Sequence, residues 1–122
     1  MLKVRLADAT RLTVRYETKD ENGETRRQRN SRFGAKSPEI TPPPEAVHVW
    51  DWFWSELTGR RHSGPEPLTH AELDAWKRNT ARLVRPQEIE MLIAMDEAFL
   101  SEMRKEQDAA RERAMQKTGS NK

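Results

Sequence analysis

The sequence predicts an all-α fold with a compact three-helix core, at about residues 45–58, 69–80 and 86–103. Three observations predict it. Apolar residues recur at helical spacing in the C-terminal half, where Ile89, Leu92, Ile93, Phe99, Leu100 and Met103 form one stripe. Helix-start signals stand at Thr69 and Pro86. Apolar and charged residues each make up 34% of the 122 residues, against about 45–50% and about 25% in an average domain. The packed part is therefore expected to be smaller than the chain. Residues 1–44 read as a basic N-terminal arm with a Pro-rich linker, 45–103 as a helical core domain, and 104–122 as a charged tail. A core of roughly 60 residues buries only about 60% of its unfolded surface, so a partner or self-association is expected to add stability.

Taken in order, residues 2–16 alternate weakly, with Val4, Leu6, Leu12, Val14 and Tyr16 on even positions. That pattern reads as a strand pair broken near Asp8-Ala9, or as a poorly ordered arm that orders on binding. Asp20-Glu21-Asn22-Gly23 is a turn signal. A short helix over 24–33 would carry Arg26, Arg27, Arg29 and Arg32 and stop at Gly34. The prolines from Pro38 to Pro44 fix φ and remove donors, which predicts an extended linker.

The next helix is Trp-rich. Val47, Trp50, Trp54 and Leu57 follow i, i+3, i+7, i+10 spacing, which predicts that they face inward. Val49, Phe53 and Trp52 extend the apolar surface well round the helix, and Trp52 is expected to be half covered by Arg side chains. Gly59 would end the helix, and Gly64-Pro65 marks a turn. Thr69 as N-cap and Glu72 three residues later form a capping box, with Leu68 and Leu73 as a hydrophobic staple. Pro86 suits the first position of the last helix, with Glu88 and Glu90 near its positive end. Past Met103 the sequence stays helix-prone but is polar all round, which predicts a helical extension into solvent.

Charge is unevenly spread. Residues 1–44 sum to +4, 45–103 to −5 and 104–122 to +3. An acidic centre argues against a nucleic-acid-binding core, although Lys77, Arg78, Arg82 and Arg85 cluster where a helix–turn–helix reader would hold phosphates. A small DNA-binding protein is thus one rival reading. The absence of cysteine excludes disulfides and thiolate chemistry and fits a cytoplasmic setting. The N-terminus has no apolar run like that of a signal peptide, and no segment approaches the ~20 apolar residues of a membrane span.

Few residues point to chemistry. His48, His62 and His70 form no HxxxH or HExxH pattern, so no metal site is expected. No Gly-rich phosphate loop and no Ser/His/Asp arrangement occurs, so the chain reads as a non-enzyme without a cofactor. Asp96 lies on the apolar stripe, three after Ile93 and three before Phe99. It reads as a buried structural carboxylate, bonded to loop amides at 60–66, to a Trp indole or to Arg60 or Arg61. The candidate partner-binding residues are His48, Trp52, Arg60 and Arg61, because Trp and Arg are enriched at interface hot spots.

One resemblance gathers these pieces. In order they are Val49-Trp50-Asp51-Trp52-Phe53-Trp54, Gly64-Pro65-Glu66-Pro67-Leu68, Ala71-Glu72-Leu73-Asp74-Ala75-Trp76, Arg85-Pro86-Gln87-Glu88-Ile89 and Ala94-Met95-Asp96-Glu97-Ala98-Phe99-Leu100. That order, from Pro44 to Leu100, resembles the tail assembly chaperones of long-tailed bacteriophages and prophages, over a little under half the chain. The resemblance implies a role in tail morphogenesis, with a DNA-binding or packaging accessory and a minor structural virion protein of the tail or head–tail junction as the rival readings. It implies binding to the helical tape-measure protein, which is kept soluble, and recruitment of tail-tube subunits.

Overall fold

The computed structural model describes residues 1–60 and 66–120, which hold five α-helices and no strand. These are α1 (Leu2–Glu17), α2 (Arg26–Arg32), α3 (Val47–Trp52), α4 (His70–Thr80) and α5 (Pro86–Ser120). The Gly64-Pro65 turn expected from sequence lies outside the described residues.

The strand pair or poorly ordered arm expected at residues 2–16 is corrected to a helix. α1 buries Leu6, Ala7, Ala9, Thr10 and Val14, with Leu6, Thr10 and Val14 four residues apart on one face. Thr10 disguised this period, since a polar residue interrupts an apolar stripe. Its hydroxyl is satisfied locally by donating to the Leu6 carbonyl at 2.8 Å, so burying it leaves no unmet group. α1 packs along α5, the most extensive contact between helices. Tertiary packing of this kind decides a segment whose local pattern is weak.

Arg15 anchors the far end of α1. Its guanidinium reaches Glu102 of α5 at 2.9 Å, and the Glu102 side chain is only 2% exposed. The turn after α1 is held by Asp20, whose carboxylate accepts the Asn22 and Glu24 N–H groups at 2.9 and 3.0 Å. Gly23 supplies the left-handed φ of +79° that this turn requires. α2 starts at Arg26, two residues later than the expected helix, because Thr25 and Gln28 form a reciprocal capping box. Arg26 then pairs with Glu106 at 3.3 Å, and Arg113 pairs with Glu21 at 3.2 Å. The charges of the N-terminal segment are thus tied to the outer half of α5.

An extended linker leads to a 3-10 turn at Pro44–Ala46 and then α3. α3 runs into a π-helical turn at Phe53–Leu57 and a 3-10 turn at Thr58–Arg60. Of Val47, Trp50, Trp54 and Leu57, expected to face inward, only Leu57 is fully buried. Val49, Phe53 and Leu57 are buried, Val47 is exposed, and Trp50 and Trp54 are half-buried. A four-residue step places the three smaller apolar side chains against the core. The large indoles cover its edges, as Trp often does without full burial.

α4 begins as the sequence indicates. Thr69 Oγ1 accepts the Glu72 N–H at 3.1 Å, although the Glu72 carboxylate takes its bond from the Thr69 hydroxyl and not from the backbone. The helix ends at Ala81, a non-glycine residue at φ +54°. α5 is 35 residues long, roughly 50 Å at 1.5 Å per residue. The core cluster joins Leu6 of α1 to Val49, Phe53, Leu57, Leu73, Trp76, Leu92 and Met95. The packed interior is therefore wider than the three expected helices.

Candidate partner-binding surface

α3 and its π-helical turn carry aromatic side chains on both flanks of the buried stripe. On one flank the His48 and Trp52 rings, one turn apart, meet edge to face with centroids 5.0 Å apart. Trp52 also meets the fully buried Trp76 of α4 at 5.6 Å. The Trp76 indole N–H donates to Glu56 Oε1 at 3.1 Å, and Glu56 Oε2 accepts from Arg82 at 2.6 Å. A buried indole needs such an acceptor, and here one carboxylate serves the indole and a cation together.

The same flank is pinned to the start of α5. His48 Nε2 contacts Glu88 Oε2 at 2.5 Å. The Arg85 N–H donates to Glu88 Oε1 at 2.9 Å, and the Arg85 guanidinium lies 3.4 Å from Oε2. Burial pushes the Glu88 carboxyl up, but the Arg85 amide, His48 and the Arg85 guanidinium outweigh it and hold its pKa below the ordinary value. The position also suits a carboxylate, since Glu88 stands in the first turn of α5.

On the other flank Trp50, Trp54 and Phe99 form a half-buried aromatic group. Trp50 and Trp54 lie 5.5 Å apart, and Trp54 and Phe99 5.7 Å. The Trp54 indole N–H is shielded from solvent and has no acceptor among the described residues.

Of the residues singled out in the sequence, His48 and Trp52 come together at the surface. His48 is exposed and Trp52 half-buried, its cover supplied by the His48 and Trp76 rings. Arg60 closes the turn after the Trp-rich segment, and Arg61 lies outside the described residues. Asp96 is 3% exposed and accepts the Leu68 N–H at 2.9 Å, just before the Thr69 cap. Sequence reasoning missed Glu56, its pairing with Arg82 and the ionic role of Glu88. The Arg85–Glu88 spacing, around a proline at the first helical position, carried a local signal for Glu88. Glu56 and Arg82 stand 26 residues apart and carried none.

Lys77, Arg78, Arg82 and Arg85 do not form a free basic patch. Arg78 pairs with Asp74, Arg82 with Glu56 and Arg85 with Glu88. Among the described residues no group of three or more His, Asp or Glu is placed to hold a metal ion, and no helix is long and apolar enough to cross a membrane. Compared with known proteins, residues 27–101 match the family model described as phage tail assembly chaperone. No curated protein and no solved structure matches the chain.

Proposed function

The chain belongs to the phage tail assembly chaperone family, and from that premise we propose that it acts without catalysis, binding the tape-measure protein in the host cytoplasm and helping to recruit tail-tube subunits. The observation that carries the reading is the aromatic surface on α3, with His48 and Trp52 at its exposed edge. An amphipathic helix of a partner lays its apolar face on such a surface. The ionic contacts of Glu56 and Glu88 fix the aromatic rings before binding, which lowers the ordering cost of association. Arg60 and Arg61 are assigned to the same partner on residue type alone, since Arg is enriched at interface hot spots.

The rival reading as a DNA-binding accessory has weaker support. Three of the four cations in the basic cluster already have carboxylate partners within the chain. Phosphates would have to displace them.

Co-expression of the full chain with the tape-measure protein tests the proposal. The two are expected to co-purify, and a His48→Ala/Trp52→Ala double variant, checked for folding by circular dichroism, is expected to bind about 30-fold more weakly, as loss of a 2 kcal/mol hot spot implies. Failure of the unaltered pair to co-purify overturns the proposal. Undiminished binding by the folded variant moves the interface elsewhere on the chain.

A further inference from the structure

A second feature lies on the other flank of α3 from His48 and Trp52. An open cleft of about 430 Å³ is bounded by α1, the linker and the Trp50 ring. We propose that this cleft receives an arginine side chain from a partner polypeptide.

Three observations carry the assignment. The Trp50 ring forms one wall and is held in place by Trp54, 5.5 Å away. A guanidinium is planar and weakly hydrated and stacks on such a face. Glu39 stands at the same cleft, exposed, with no ion pair among the described residues. Its carboxylate offers two oxygens to the guanidinium fork. Finally, the cleft already holds one arginine by this chemistry. Arg27 lies 5.9 Å over the Tyr16 ring, pairs with Glu17 and donates to the Pro38 carbonyl at 2.8 Å. Its charge is matched by Glu17, so the charge left over in the cleft is the negative one of Glu39. Lysine fits less well, because an ammonium is more strongly hydrated and has no planar face to stack.

α1 builds one side of the cleft through Thr13 and Glu17, and α1 lies outside the residues matched by the family. Arg27, Glu39, Ile40, Thr41 and Trp50 lie inside the matched residues, but the test needs no tape-measure protein, so the site stands or falls independently of tape-measure binding.

The test uses the full chain, labelled with ¹⁵N and titrated with N-acetyl-arginine methylamide. The control ligand is the citrulline analogue, which has the same shape and no charge. Saturable shifts are expected at the Trp50 indole N–H and the Ile40 and Thr41 amides, with millimolar affinity. Glu39→Gln, at an exposed position, is expected to weaken binding about two- to fivefold. Equal shifts with the citrulline analogue, shifts confined to other residues, or unchanged affinity in Glu39→Gln would each overturn the proposal.

Discussion

Replacing Asp96 by alanine is expected to destabilise the fold by about 2–3 kcal/mol. The carboxylate is 3% exposed and accepts the Leu68 N–H at 2.9 Å. A hydrogen bond to a charged group contributes ~1.5–3 kcal/mol. Alanine removes it and leaves a half-buried amide without that acceptor. The bond also ties the approach to α4 onto α5, because Leu68 immediately precedes the Thr69 cap. At ~4 °C per kcal/mol for a chain of this size, the midpoint should fall by about 8–12 °C. Asp96→Asn keeps an acceptor oxygen and should lose about half as much. Urea unfolding followed by helix signal and by tryptophan fluorescence measures both variants. A loss below about 0.5 kcal/mol in Asp96→Ala would refute the reasoning, since that is the size of an ordinary surface substitution.

Further outcomes follow from other contacts. Glu88 has a folded pKa below its unfolded value near 4.5, so it binds fewer protons when folded. Its contribution is present above that pH and is lost as pH falls through the folded pKa. Acid titration of stability should accordingly show a smaller loss below pH 4.5 in Glu88→Gln than in the parent chain, and identical slopes would exclude the mechanism. Ala81→Gly should raise stability by about 0.5–1 kcal/mol, because the position sits at φ +54° and glycine adopts that region without a Cβ penalty; a lower melting point would contradict it. Arg15→Ala should cost about 1–2 kcal/mol, discounted because Arg15 is 43% exposed while Glu102 is 2% exposed. Differential hydrogen exchange should place that loss on α1, and protection unchanged there would count against the anchor.

Local chemistry made part of this protein legible from its residues alone. Thr69 caps α4 and Pro86 opens α5 because caps and fixed φ act within one turn. The apolar period of α5 and its polar continuation past Met103 were readable for the same reason, as was the helical class. The pairing of His48 with Trp52, one turn apart, also follows from spacing within a helix. Tertiary structure alone decided the rest. α1 is a helix because α5 offers it a surface, and its own alternation was too weak to choose between periods. In the Trp-rich segment Val49 and Phe53, and not Trp50 and Trp54, join Leu57 inside because the core admits those shapes and leaves the indoles at its edge. Arg15 meets Glu102 across 87 residues, and Glu56 meets Trp76 and Arg82 across 20 and 26. Such contacts leave no periodic mark in a sequence, because they depend on how helices dock and not on how each one forms.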